Sequence, residues 1–292
     1  MKILANSLFV ALFALSSCGG SSNAREVIQN KGSDTLVNVA QAWAENYREV
    51  DPSVGIAVSG GGSGTGIAAM INGATDIANS SRKMKEKEFE SARANGVDPV
   101  EHIVGYDALA VYIHQDNPLE SITLEQLASI YGDGGTTTHW SQIGVTLPGV
   151  TPMSDKDEII RVSRQNNSGT YVYFKEAVLG KGKDYKLGSR DLHGSKDVVD
   201  LVEKTPGAIG YSGLAYATEH IKMLSVKVDD SAPAVAPSTS TAIDRSYPIA
   251  RPLFMYTAGQ PEGKVKAFLD WILSDDGQRI ILDKGYAPVR AL

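Results

Sequence analysis

Apolar residues recur along this chain in two rhythms that alternate with each other. Val27 and Ile28 open a strand that Lys31-Gly32-Ser33-Asp34-Thr35 breaks. Leu36, Val39, Ala40, Trp43 and Tyr47 then return at three- and four-residue spacing, which predicts an amphipathic helix capped by Ser33, Asp34 or Thr35. Val54, Ile56 and Val58 alternate as a strand, Ser59-Gly60-Gly61-Gly62-Ser63-Gly64-Thr65-Gly66 interrupts it, and Ile67, Met70 and Ile71 mark the next helix. A third strand, Asp76-Ile77-Ala78, runs into Asn79-Ser80-Ser81-Arg82. Lys83, Lys85 and Lys87 each precede a Glu by three residues, predicting a solvated helix face over Lys83 to Glu90 with no chemistry of its own.

The second half repeats the alternation. Ala108 to Ile113 reads as a strand and Leu124 to Ile130 as a helix. Arg161 to Arg164 leads into Gln165-Asn166-Asn167-Ser168-Gly169-Thr170 and a helix from Tyr171 to Leu179. Pro206-Gly207-Ala208-Ile209-Gly210-Tyr211 is a turn entering a strand, and Asp229 to Thr241 an irregular connection. Ile249 to Tyr256 predicts a strand, and Val265, Phe268, Leu269 and Ile272 a C-terminal helix. Strands alternating with helices, without an internal repeat, predict an α/β architecture.

Length and charge narrow the function. The 292 residues suit one large or two modest domains, and 42% hydrophobic residues suffice for a sizeable core. With 28 basic against 34 acidic residues the net charge is −6, which argues against nucleic-acid binding through phosphate neutralisation. One Cys excludes a disulfide framework and a zinc site built from several thiolates. Lys2 precedes an apolar run from Ile3 to Leu15, shorter than the ~20 residues of a spanning helix, so it reads as a signal-peptide core. The run closes on Leu15-Ser16-Ser17-Cys18, which resembles a bacterial lipobox. Residues 1–24 are therefore expected to be a lipoprotein signal and tether, cleaved before Cys18. Cys18 would carry a palmitate-type lipid and anchor the protein in the cell envelope, facing the periplasm or the cell surface. The alternative is an ordinary secretory signal cut near Ala24.

Four segments share one pattern, in which a strand ends, small hydroxyl and Gly residues follow, and a helix begins. They are Gly32–Thr35, Gly60–Gly66, Asn79–Arg82 and Ser168–Thr170. Helix N-termini offer unpaired N–H groups and partial positive charge, Gly admits a ligand close to the backbone, and Ser and Thr add donors. Together, with Arg164 just upstream of the last, they point to a small oxyanion. Enzymatic alternatives lack their residues. Ile67 stands where a phosphate-binding loop needs Lys, and neither Ser168 nor Ser212 has the glycines of a nucleophile elbow. The His residues at 102, 114, 139, 193 and 220 have no metal-binding spacing, and no cofactor or metal is expected. Trp43, Trp140 and Trp271 are core anchors, and Asp275-Asp276 a solvated pair near a helix end.

These motifs, with Asp107-Ala108-Leu109-Ala110-Val111 and Pro206 to Tyr211, resemble the lipid-anchored or periplasmic phosphate-binding proteins of high-affinity phosphate ABC transporters across the whole mature chain. The resemblance implies a two-lobed, type II periplasmic-binding-protein fold, with two α/β lobes joined by two hinge strands and closing over one phosphate. Lobe one would comprise 25–106 with 250–292, and lobe two 107–249. Ser33, Asp34, Thr35, Ser63, Ser81, Arg164, Ser168, Gly169 and Thr170 become the implied phosphate contacts. The implied partners are a permease and ATPase complex, and the protein is expected to be a monomer.

Two positions depart from the family pattern. Many members place an Asp at the position of Ser81, where its carboxylate accepts the proton of hydrogen phosphate, and many place an Asp at the position of Asn166. Asp34 is a candidate substitute acceptor; capping the helix after it is the other reading. Rival functions are a carrier of another tetrahedral oxyanion such as sulfate, a phosphate-handling secreted enzyme, and a sensor or adhesin that has kept the fold.

Overall fold

A computed structural model describes residues 26–292. Cys18 and the segment expected to anchor the chain lie outside the described residues. Among those residues, no helix is long and apolar enough to cross a membrane.

The first β-strand, β1 (Glu26–Gly32), pairs in parallel with β2 (Val54–Ser59) on one side and β3 (Ile77–Ser80) on the other. Parallel neighbours need crossovers, supplied by α1 (Val37–Val50) and α2 (Ser63–Ile71). Residues Val39, Ala40, Trp43 and Tyr47 form the buried stripe of α1, as the periodicity predicts. Trp43 Nε1–H donates to Gly277 O at 2.8 Å, so a buried indole has its partner. The capping expectation fails: Leu36 precedes α1, and no side chain caps it. α3 (Glu86–Ala94) begins only after a turn, so Asn79–Arg82 ends a strand without opening a helix.

The long strand β4 (Val100–His114) joins the two halves. Its first part pairs antiparallel with β10 (Ala250–Thr257), and its second part pairs with β8 (Ala208–Gly213) and β9 (Ile221–Lys227). The sequence predicted only its apolar end, because Val100 to Asp107 mixes polar and apolar residues. Between these strands lie β5 (Ser121–Thr123), α4 (Leu124–Tyr131), β6 (Ile160–Arg164), α5 (Gly169–Phe174), β7 (Arg190–Leu192) and α6 (Ser195–Glu203). α5 continues into a single π turn through Leu179. The Ser/Thr/Ala/Pro-rich connection ends in α7 (Thr239–Ile243). The chain closes with α8 (Gly263–Ile272) and α9 (Asp275–Asp283). Asp275 and Asp276 are the exposed first turn of α9, paired with Arg290 and Arg279.

Each half buries a sheet between two layers. In the first, Ile28, Trp43, Ile77, Leu253 and Phe268 fill one face and Ile67, Met70, Ala78 and Phe254 the other. In the second, the period of two along β4 divides the cores: Leu109, Val111 and Ile113 face one, Ala110 and Tyr112 the other. The molecule is thus two α/β lobes bridged by β4 and β10. Sheet order β2-β1-β3-β10-β4-β8-β6-β7 puts β3 against one side of that bridge, with β1 and then β2 beyond it, and β8 and then β6 on the other side.

Candidate functional site

The loops of the first lobe are tied to one another. Gly62 N–H donates to Gly32 O at 2.9 Å, Ser33 Oγ–H to Ser81 Oγ at 2.9 Å, and Ser81 N–H to Ser63 Oγ at 3.1 Å. Ser33, Ser63 and Ser81 are all buried. From the second lobe, Ser168 caps α5 by accepting from Thr170 N–H at 3.2 Å, which leaves Thr170 Oγ1 3.1 Å from Thr35 Oγ1. Backbone contacts bind the lobes here: Gly64 N–H donates to Asn167 O at 3.0 Å and Asn167 Nδ2–H to Gly61 O at 2.9 Å. Gly169 is required sterically, since an added Cβ would overlap Ser63 Oγ and lie 2.6 Å from Ser81 Oγ.

Asp34 and Arg164 meet at the edge of this cluster. Asp34 Oδ1 accepts from Gly61 N–H at 2.9 Å, and Oδ2 from Arg164 Nη2 at 3.0 Å. Arg164 is fully buried, and its Nε and Nη2 also donate to His193 O while Nη1 donates to Ser195 Oγ at 2.9 Å. Four of its five N–H donors are engaged and one on Nη1 remains. Burial pulls its pKa below the ordinary value, and Asp34 opposes that. Asn166 is exposed, so the guanidinium is oriented by the other lobe and by Ser195 rather than by its own loop. Tyr216 Oη–H donates to Asp34 O at 2.6 Å, and Tyr286 Oη–H to Thr35 O, fixing the backbone of both residues.

The hydroxyls thus converge with Gly169, while Asp34 and Arg164 form a pair beside them. A second buried ion pair escaped the sequence reading. Arg251 Nε and Nη2 donate to Asp107 Oδ2 at 3.1 and 2.8 Å, and both side chains are fully shielded from solvent. Burial raises the Asp107 carboxyl and Arg251 opposes it. The only local signal was a charged residue within each of two apolar strand segments.

A model of the PBP superfamily domain matches residues 19–276. The chain is 32% identical over 275 residues to the phosphate-binding protein PstS of Pseudomonas aeruginosa, covering 90% of this chain and 83% of that one. The chain belongs to the phosphate-binding protein family of the PBP superfamily. It is also 34% identical over 280 residues to protein SphX of Synechococcus elongatus, covering 91% of this chain and 79% of that one. Its fold is similar to that of a phosphate ABC transporter substrate-binding protein of Clostridium perfringens, solved with bound phosphate, at a TM-score of 0.78 and 27% identity over 91% of this chain and all of that one.

As a member of this family the protein is a solute receptor, and the chemistry of the cluster suits that role. Its groups are buried hydroxyl, amide and guanidinium donors, which suit an anion and supply no group for transfer. His193, the imidazole beside the cluster, is half-exposed and lies 4.0 Å from Asp34 Oδ1, not against a serine. Among the described residues no three His, Cys, Asp or Glu side chains are grouped to hold a metal ion.

Proposed function

We propose that this protein captures inorganic phosphate between its lobes, outside the cytoplasm, and delivers it to an ABC permease and its ATPase. The observation that carries this is the meeting of Thr35, Ser63 and Ser81 from one lobe with Gly169 and Thr170 from the other, all buried. An oxyanion there receives donors from both lobes, so binding and closure are one event. Thr35, Ser63, Ser81, Ser168 and Thr170 give hydroxyl or backbone donors, Gly169 an unobstructed amide, and Arg164 its remaining Nη1–H and positive charge, while Ser33 acts through Ser81, to which its hydroxyl donates. Asp34 acts through Arg164. The names of the relatives support phosphate as the ligand.

Lobe one comprises 25–106 with 250–292 and lobe two 107–249, a division supported by the pairing of β4 with β10. The mature protein is a monomer, held to the membrane by lipid on Cys18, a reading that rests on Leu15-Ser16-Ser17-Cys18. A second preference, for sulfate, is favoured by one observation. Each carboxylate near the cluster is paired with a guanidinium, Asp34 with Arg164 and Asp107 with Arg251, which offsets the repulsion a proton-less anion would meet. Calorimetric titration after exhaustive phosphate removal tests both. Phosphate is expected to bind more tightly than sulfate, and equal affinities would make the protein a general oxyanion carrier.

A further inference from the structure

We infer that Arg251, on the strand β10 that bridges the lobes, is a positioning residue that sets Thr35 and Thr170 as donors toward the bound anion. The inference rests on the phosphate-capture reading above. Arg251 is anchored on three sides. Asp107, its register partner on β4, accepts from Nε and Nη2, Ser81 O accepts from Nη1 at 3.2 Å, and the Tyr173 ring lies 5.6 Å from the guanidinium carbon. Only Nη2 reaches further, to Thr35 Oγ1 at 3.3 Å and Thr170 Oγ1 at 3.1 Å, one threonine from each lobe.

Proton counting gives this contact its meaning. Each threonine hydroxyl has one hydrogen, and the two oxygens lie 3.1 Å apart. A hydroxyl that donates to the other is a donor lost to the ligand. Nη2 has two hydrogens, one held by Asp107 and one shared by the two threonine oxygens. With a lone pair on each oxygen taken up by the guanidinium, the bond between the two hydroxyls is weakened and both hydroxyl hydrogens are biased toward an acceptor-rich ligand. The contact also forms only when the two loops have closed onto β10, so the same hydrogen registers closure. Because Asp107 cancels its charge locally, Arg251 acts through hydroxyl orientation more than through net charge.

The test is calorimetric titration of the purified protein with inorganic phosphate, alongside Arg251→Lys, Thr35→Val/Thr170→Val and their combination. Lysine retains the charge for Asp107 but cannot span the carboxylate and two hydroxyls at once. Arg251→Lys is expected to weaken phosphate binding at least ~10-fold in the wild-type background, but less than ~3-fold once the hydroxyls are gone. A purely structural role would cost the same factor in both backgrounds. Equal factors, or wild-type affinity in Arg251→Lys, would overturn the inference and leave phosphate capture standing. Absence of phosphate binding by the wild type would overturn capture itself. Asp107→Asn/Arg251→Gln, which replaces the ion pair by a neutral amide pair, answers the same question if Arg251→Lys does not fold.

Discussion

Asp34 and Arg164 belong to opposite lobes, yet one carboxylate oxygen sits 3.0 Å from one guanidinium nitrogen in a nearly closed-off site. The pair ties the loop after β1 to the end of β6, and the second Asp34 oxygen holds Gly61 of a third segment. Orientation of the buried cation and approach of the lobes are therefore coupled.

Asp34→Asn tests that coupling. Each carboxylate oxygen already accepts one hydrogen bond within the protein, from Gly61 N–H and from Arg164, so on this geometry the first task of Asp34 is to hold the loop and the guanidinium. The substitution is expected to weaken phosphate and sulfate binding together, leaving their ratio within ~3-fold of wild type. Loss of a charge-assisted bond of about 1.5–3 kcal/mol should also lower thermal stability. Calorimetry with both anions checks this; a changed ratio would return Asp34 to the role of proton acceptor.

Arg164→Ala should weaken phosphate binding at least ~10-fold, the equivalent of about 1.4 kcal/mol. Arg164→Lys is expected to rescue little of it. A single ammonium cannot serve His193 O, Ser195 Oγ and Asp34 from the fork geometry that the guanidinium supplies. Near-wild-type affinity in either variant, measured by titration, would remove Arg164 from the site.

Gly169→Ala places a methyl against Ser63 and Ser81 of the opposite lobe. Overpacking of about 1–3 kcal/mol falls on the closed form alone, because separated lobes have room for the methyl. Phosphate affinity is expected to fall ~10-fold or more, with little change in the melting temperature of the phosphate-free protein. Small-angle scattering should show phosphate compacting the wild type more than the variant.

A pH effect on stability is expected from Glu88. Burial would raise its carboxyl, but the bonds from Arg82 and the Lys85 amide outweigh it and hold the carboxyl below its ordinary value. A depressed folded-state pKa contributes stability that is present above the unfolded value, about 4.3, and lost as pH falls through the folded one. Glu88→Gln should therefore be destabilised relative to wild type at pH 7, and the gap should shrink below about pH 4. Denaturant melts across pH 3–7 check it; a gap that stays constant would show that the Arg82 contact carries no linkage. The sequence had paired Glu88 with Lys85 on a solvated face, whereas the structure gives it to buried Arg82.

Much of the first lobe is written locally. The alternation of Val54, Ile56 and Val58 and the three- and four-residue spacing of α1 each report one buried face, and such patterns survive without knowledge of what covers them. The hydroxyl- and glycine-rich loops are equally legible, because small residues at strand ends have few reasons to be there other than turns and ligands. Short β5, β7 and α7, together with β9, α6 and α9, are not read from the sequence; α9 opens with the acidic pair that reads as a helix end.

What sequence alone determined was most elements of the first lobe, the family and the hydroxyls of the cluster; tertiary structure decided which charges face them. Asp107 and Arg251 are 144 residues apart and meet only because β4 and β10 pair antiparallel in one register. Asp34 and Arg164 are 130 apart and meet only when two lobes close. A buried charge has no periodic signature of its own: its identity as partner, ligand contact or solvated residue depends on what the fold sets opposite it, and that is fixed by strand register and lobe contact rather than by neighbours in the chain.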